Sequence, residues 1–125
     1  MRRAIRNHPF LGRWRIVETE VWDCDALDLS VPAHISFGSD GLGEIQLIAI
    51  EASVDYRVVD RGGTPYVEFS WCGHDDADSA CGRGWARVEG EELRGEFFIH
   101  QGDDSTFVAR KDASTPRSKR GRQAF

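Results

Sequence analysis

The chain has 125 residues, of which 40% are hydrophobic and 30% charged, a balance typical of one globular domain. Its net charge is −5, but residues 11–109 contain 7 Arg against 20 Asp and Glu, a balance of −13, so nucleic-acid binding by the folded body is disfavoured. No apolar run approaches the ~20 residues of a membrane span, and no apolar stretch follows the basic N-terminus as in a secretory signal, so a cytoplasmic protein without a membrane partner is expected.

The chain reads as eight short strand-like runs separated by Gly- and Asp-rich turns. The predicted strands are residues 12–22, 34–37, 43–51, 54–60, 66–72, 84–89, 93–100 and 105–110. The alternation in the first run slips near Ile16 and Val17, which predicts a bulge. The acidic stretch after this run, with Pro32, predicts a loop that includes a helical turn over residues 25–29.

Eight evenly spaced strands with tight turns predict an all-β antiparallel meander. Closure into an up-and-down barrel removes its two unpaired edges. We predict a barrel domain over residues 10–111, a flexible N-terminal segment over residues 1–9, and a disordered basic tail over residues 112–125. An eight-stranded barrel encloses either packed side chains or one small ligand.

The sequence "FLGRW", residues 10–14, resembles the Gly-x-Trp start of the first strand in calycins, the superfamily of lipocalins and fatty-acid-binding proteins. The resemblance implies a calycin-like barrel in which Trp14 closes one end. It also implies a basic side chain near the end of the last strand that packs on this ring, and Arg110 ends the last predicted strand. Residues 82–107 look similar to small bacterial proteins of unknown function, a likeness that implies no activity.

The stretch "WCGHDDADSACGRGWA", residues 71–86, combines several potential metal ligands. The zinc candidates are Cys72, His74 and Cys81 with Asp75, Asp76 or Asp78, but the paired Cys-x-x-Cys spacing of structural zinc is absent. A calcium loop that begins at Asp76 lacks an oxygen ligand at Ala80 and has Arg87 where glutamate is required. No metal and no other cofactor is therefore expected.

A disulfide between Cys72 and Cys81 is geometrically possible because the two residues flank one hairpin. A reducing cytosol favours free thiols instead. Residues 73–83 are predicted to be a long polar loop between the fifth and sixth strands, with His74 or Arg83 near the barrel mouth.

The turn "HQGDDS" places His100, Asp103 and Ser105 close together, a combination used by hydrolases. A nucleophile, its base and an orienting acid are seldom arranged within one tight turn, so local backbone bonding is the favoured interpretation. A hydrolase or isomerase that uses His100, Asp103 or Arg87 remains an alternative. Haem ligation by His100 is disfavoured, since strand alternation puts this residue outside the barrel.

Alternation gathers several large apolar side chains on the inner face, where they either line a small pocket or fill the core. The candidate ligand-binding residues are Ile35, Phe37, Phe69, Trp71, Phe97 and Ile99. We expect them near the open end of the barrel. The leading functional hypothesis is the binding of a small, largely apolar molecule there, and the main alternative is an interaction or scaffold protein with a packed interior.

Overall fold

The computed structural model describes residues 8–29 and 31–112, which form eight antiparallel strands and one helical turn. The strands are β1 Gly12–Thr19, β2 His34–Phe37, β3 Leu42–Leu47, β4 Ile50–Arg61, β5 Thr64–Asp75, β6 Asp78–Glu89, β7 Glu92–Ile99 and β8 Asp104–Lys111. The turn of helix, α1 Cys24–Leu27, lies in the connection between β1 and β2. Each strand pairs with the next and β8 pairs with β1, which confirms the predicted closed up-and-down barrel.

Strict alternation along the strands builds the core. In β4, Ile50, Ala52, Val54 and Tyr56 are buried, while the residues between them are exposed. Because successive side chains of a strand point to opposite faces, this pattern lines the inside with apolar groups and leaves the charged groups in water. The buried apolar residues of the described chain form one continuous cluster.

The predicted irregularity in the first strand is confirmed as a bulge. Ile16 pairs with Ala109 and Glu18 pairs with Val108, so the register between β1 and β8 shifts by one residue between Ile16 and Glu18. A bulge increases the local twist and bends the strand. This bend helps to close the sheet where its first and last strands meet.

The third predicted run proves to be the end of one strand and the start of the next. β3 ends at Leu47 and β4 begins at Ile50, with a turn at Ile48 and Ala49. Ile48 has a φ of 58°, a left-handed conformation that β-branched residues rarely adopt. The turn escaped detection because it contains neither Gly nor Pro.

The predicted long loop within residues 71–86 is wrong. β5 continues to Asp75 and β6 begins at Asp78, so only Asp76 and Ala77 form the turn. The polar side chains of this stretch do not break the strands, because they are largely exposed to solvent. Pairing with β4 on the other side of β5 extends the ladder to the tip of the hairpin.

The meander gives the barrel two different ends. The sealed end carries residues 8–11 and the turns 38–41, 62–63 and 90–91. The covered end carries the β1–β2 connection, residues 20–33, of which residue 30 lies outside the described residues, and the turns 48–49, 76–77 and 100–103. We call the described part of residues 20–33 the covering segment.

The cation at the sealed end is Lys111 and not Arg110. Lys111 Nζ lies 4.4 Å from the centre of the Trp14 ring, while Arg110 is exposed and its guanidinium donates to Glu92 Oε2 at 2.8 Å. The register explains the correction. Trp14 is opposite Lys111, and Arg110 is opposite Arg15. β8 continues one residue beyond its predicted end. Because successive side chains of a strand point to opposite faces, the basic residue on the same face as Trp14 is Lys111.

The chain ends are described only in part. Of the segments predicted to be flexible, residues 1–7 and 113–125 lie outside the described residues. Next to them, a hydrogen bond of 3.1 Å joins His8 Nε2 and the Tyr56 hydroxyl, and the Asp112 amide donates to the Arg13 carbonyl at 3.0 Å. Contacts with the barrel therefore extend beyond residues 10–111 at both ends.

Candidate functional site

All six predicted ligand-contacting residues face the interior. The first five, Ile35, Phe37, Phe69, Trp71 and Phe97, are each at most 4% exposed, and Ile99 is partly buried against the same cluster. They are not all at one end. Phe37 lies toward the sealed end, where its ring makes an edge contact with Phe10 at 6.4 Å, so its predicted place near the open mouth is wrong. β2 starts at the covered end and reaches the sealed end at Phe37, opposite Gly12.

Aromatic rings pack continuously from the sealed end to the middle of the barrel. The Phe37 ring contacts Tyr56 at 5.0 Å and Phe69 at 6.2 Å, both edge-on. A Cβ at Gly84 would lie 2.3 Å from Phe69 Cζ, so this ring occupies the space that the glycine leaves. This half of the barrel is filled by side chains.

The covered end is closed by a residue that sequence reasoning placed in a strand. Trp22 is part of the covering segment, and its ring stacks on Phe97 with centroids 5.6 Å apart and an interplanar angle of 18°. The Thr19 hydroxyl accepts from the Trp22 amide at 2.9 Å and donates to the Trp22 carbonyl at 2.7 Å. The sequence did offer a signal for this role, since Trp22 is a large apolar residue that follows the alternating residues of β1.

The rest of the covering segment is held to β1 by polar contacts. Asp28 accepts from the Arg15 guanidinium and from the Ala33 amide, both at 2.9 Å. The Ile16 amide donates to the Ala33 carbonyl at 2.9 Å. Asp23 starts the single turn of α1 by accepting from the Ala26 amide. These contacts fasten Asp28 and Ala33 to β1, and Ala33 is buried in the core.

The buried indole N–H of Trp71, on the inner face of β5, has no hydrogen-bond partner among the described residues. Trp71 is 2% exposed, and its indole Nε1 makes no hydrogen bond within the described part of the chain. Its ring edge occupies the space beside Gly82, since a Cβ there would lie 2.7 Å from Trp71 Cζ2. A buried N–H without an acceptor costs about 1–3 kcal/mol, so it is an unusual feature of an otherwise apolar core.

A polar cluster that the sequence did not reveal surrounds His34 on the outer face. The ring is buried, with Nε2 3.2 Å from Glu44 Oε2. Its Nδ1 lies 3.2 Å from an Arg13 guanidinium nitrogen and 3.1 Å from the Pro32 carbonyl oxygen. Arg13 also forms an ion pair with Asp112. All of these partners are protein groups, so the cluster joins the covering segment and the C-terminal end of β8 to β1.

The residues of the catalytic alternative are not brought together. The buried Ser105 hydroxyl donates to the Thr106 carbonyl at 2.9 Å. His100 is exposed at the covered end, and its amide donates to the Cys81 carbonyl. Arg87 lies toward the other end of the barrel, where it donates to the Tyr66 hydroxyl and to Glu89. Among the described residues, no hydrogen bond joins the side chains of His100, Asp103 and Ser105.

The cysteines of residues 71–86 face each other across two strands. Cys72 and Cys81 are direct partners in the β5–β6 ladder, and both are free thiols. Within residues 8–29 and 31–112, no group of three or more His, Cys, Asp or Glu side chains is placed to hold a metal ion. None of the described helical residues forms a helix long and apolar enough to cross a membrane.

Surface depressions lie on the outer face of the barrel and at its sealed end. One of about 490 Å³ is lined by charged groups that include Arg57, Glu68 and Arg83. Another, of about 380 Å³, is more apolar and is lined by Leu42, Cys72 and Cys81 among others. In the interior, side chains such as Trp71 and Phe97 are buried, and a ligand there would enter space that such side chains occupy.

Comparisons with models of protein families, with curated proteins and with solved structures gave no match. The fold itself defines the class of the protein, an all-β closed barrel of eight antiparallel strands in sequence order, which is compatible with the calycin fold.

Proposed function

We propose that this calycin-like barrel acts in the cytoplasm and binds a small, largely apolar molecule that carries one hydrogen-bond acceptor, at the end closed by the covering segment. The observation that supports the proposal most directly is the unpartnered Nε1 of Trp71. An oxygen of a bound ketone, ether or alcohol would satisfy this donor. The surrounding apolar side chains would take up the remainder of the molecule.

Trp22 is the side chain whose displacement would make room. It belongs to the covering segment and not to the barrel wall, and its main packing partner is the Phe97 ring. A flat apolar ligand that replaced Trp22 on Phe97 would recover the same stacking contact. The contacts that open when the segment moves include those of Asp28 with Arg15, of Ala33 with Ile16 and of the Thr19 hydroxyl with Trp22.

The second candidate function is that of an interaction or scaffold protein with a packed interior. The contact between Phe69 and the Gly84 backbone supports it, because it shows side chains packed closely against the barrel wall. In that case the Trp71 N–H would donate to a water molecule, or it would stay without an acceptor and lower the stability of the fold. The outer surface would then carry the function.

Two ligands of almost equal size distinguish these candidates. 2-Acetylnaphthalene carries a carbonyl acceptor, and 2-ethylnaphthalene lacks it. If Trp71 donates to the ligand, the ketone binds about 5- to 10-fold more tightly, which corresponds to about 1–1.4 kcal/mol. Trp71→Phe should remove this preference while retaining an aromatic ring. Trp85→Phe, on the outer face against Tyr66, is the matched control and should keep it.

The affinities are measured by calorimetry and by the shift in melting temperature. Trp22→Gly should raise the affinity for both naphthalenes, because it leaves the face of Phe97 free. The absence of binding to both the native protein and the Trp22→Gly variant would refute the binding proposal and favour the packed scaffold.

A further inference from the structure

Cys72 and Cys81 lie directly opposite each other in the β5–β6 ladder. Directly opposite residues of antiparallel strands have Cα atoms about 4.5–5.5 Å apart and side chains on the same face. A disulfide requires a Cα separation of about 4.4–6.8 Å. The two sulfurs can therefore be joined without displacing either strand.

Both sulfurs are accessible from outside. Cys72 is exposed and Cys81 is half-buried, and both border the apolar depression of about 380 Å³ on the outer face. Leu42, which is 47% exposed, also lines it, together with Ser53 and Asp55 of β4 and Ser70 of β5. The sulfur pair can therefore be approached from the solvent without opening the barrel.

We propose that Cys72 and Cys81 form a reversible dithiol–disulfide site that exchanges with small-molecule disulfides. The site lies on the outer face, and it does not depend on the proposed binding of an apolar molecule inside the barrel. Free thiols are the state of the described structure. The oxidised state would add a covalent bond between β5 and β6, near the tip of their hairpin.

The exchange proceeds in two balanced steps. One thiol loses its proton to solvent and its thiolate attacks a small disulfide RSSR, which forms a protein–S–SR bond and releases RS⁻. The second thiol then loses its proton and attacks the protein sulfur of that bond, which closes the Cys72–Cys81 disulfide and releases another RS⁻. The protein loses two electrons and two protons, and RSSR is reduced to two RSH.

The two thiols also influence each other. Partial desolvation, and after it the adjacent Cys81 thiol with which it hydrogen-bonds, raise the pKa of Cys72. Because the thiolate is the attacking species, a raised pKa slows the exchange at neutral pH. The rate should therefore increase as the solution becomes more alkaline.

Incubation of the reduced protein with glutathione disulfide tests the proposal. The intact mass should fall by two hydrogen atoms, and peptide mapping should show Cys72 linked to Cys81. Cys24→Ser is the matched control, since it removes the third cysteine and should leave this product unchanged. In the Cys24→Ser background, Cys72→Ser and Cys81→Ser should each stop at a mixed disulfide that retains one glutathione.

Phenylarsine oxide provides a second readout that does not depend on the reduction potential, because one arsenic atom bridges two adjacent thiols. The reduced protein should bind one molecule per chain, and each of the two serine variants should lose this binding, with circular dichroism confirming that they are folded. A native protein that keeps glutathione on Cys72 without closing the disulfide would overturn the proposal. Disulfides that run through Cys24, or arsenical binding unchanged in Cys72→Ser, would also overturn it.

Discussion

The Lys111 ammonium lies 4.4 Å from the centre of the Trp14 ring, and the indole Nε1 of the same tryptophan donates to the Phe10 carbonyl at 2.9 Å. Lys111 Nζ also donates to the Leu11 carbonyl. One ring and one cation thus join the last strand to the segment that precedes the first strand. Partial burial lowers the pKa of Lys111, so its charge has a desolvation cost that the ring and the carbonyl offset.

Replacement of this lysine should destabilise the barrel more than replacement of its neighbour. Lys111→Met keeps the aliphatic stem but removes the cation and the donor to Leu11, and we expect a loss of about 1–2 kcal/mol in the free energy of unfolding. Arg110→Met removes an exposed pair with Glu92 and should cost less than about 0.5 kcal/mol. Urea denaturation measures both values. A larger cost for Arg110→Met would contradict the assignment of Lys111 to the seal.

The sealed end should lose stability when His8 is protonated. His8 Nδ1 accepts from the Phe10 amide, which requires that nitrogen to be unprotonated. Burial, and secondarily the charge of Lys111, lower the pKa of His8 from its ordinary value of 6.5. The His8 side chain of the unfolded chain therefore binds a proton at a higher pH than that of the folded chain. The stability that neutral His8 contributes is present above pH 6.5 and is lost as the pH falls through the folded-state pKa.

The pH dependence is tested by comparing the native protein with a variant that lacks His8. The free energy of unfolding is measured between pH 7.5 and 4.5 for the native protein and for His8→Gln. The native protein should lose more stability over this range than the variant. Parallel curves for the native protein and His8→Gln would exclude the proposed role of His8.

Trp22 should contribute to stability although it lies outside the strands. Trp22→Ala exposes the face of Phe97, and we expect a loss of about 1–3 kcal/mol together with faster hydrogen exchange in the covering segment. Trp85→Ala removes a ring that packs on Tyr66 on the outer face and should cost less. Equal costs would show that the stacking on Phe97 does not close the covered end.

A methyl group should not be tolerated at Gly84. An added Cβ would lie 2.3 Å from Phe69 Cζ and 2.6 Å from the Glu96 carbonyl oxygen, and the latter belongs to the backbone and cannot move aside. We expect Gly84→Ala to destabilise the barrel by about 1–3 kcal/mol. Ser70→Ala, on the outer face of β5, should change stability by less than about 0.5 kcal/mol. Thermal denaturation of both variants tests this, and a neutral Gly84→Ala would disprove the close packing.

The barrel itself was predictable because its signal is local. Alternation with a period of two residues shows which side of each strand is apolar, and it correctly placed Ile35, Phe69, Trp71 and Phe97 inside. The slip in the alternation also showed the bulge at Val17. Antiparallel closure then followed from the number of strands and the short connections.

The missed turn at Ile48 and Ala49 has a local cause, since it contains neither Gly nor Pro, but the other errors concern features that depend on how strands pair and how connections pack. The cation on Trp14 depends on where β8 ends in its register with β1, and a shift of one residue exchanges Arg110 for Lys111. The closure by Trp22 depends on a connection that has no periodicity. The pairing of Cys72 with Cys81 depends on strands that extend through polar residues.

The sequence alone thus determined an all-β barrel and its inner face, since strand periodicity and turn residues act over a few positions. Only the tertiary structure decided which groups meet at the two ends and which buried donor lacks a partner. These relationships arise when the sheet closes and brings residues such as Trp14 and Lys111 together, although almost the whole barrel separates them in the chain.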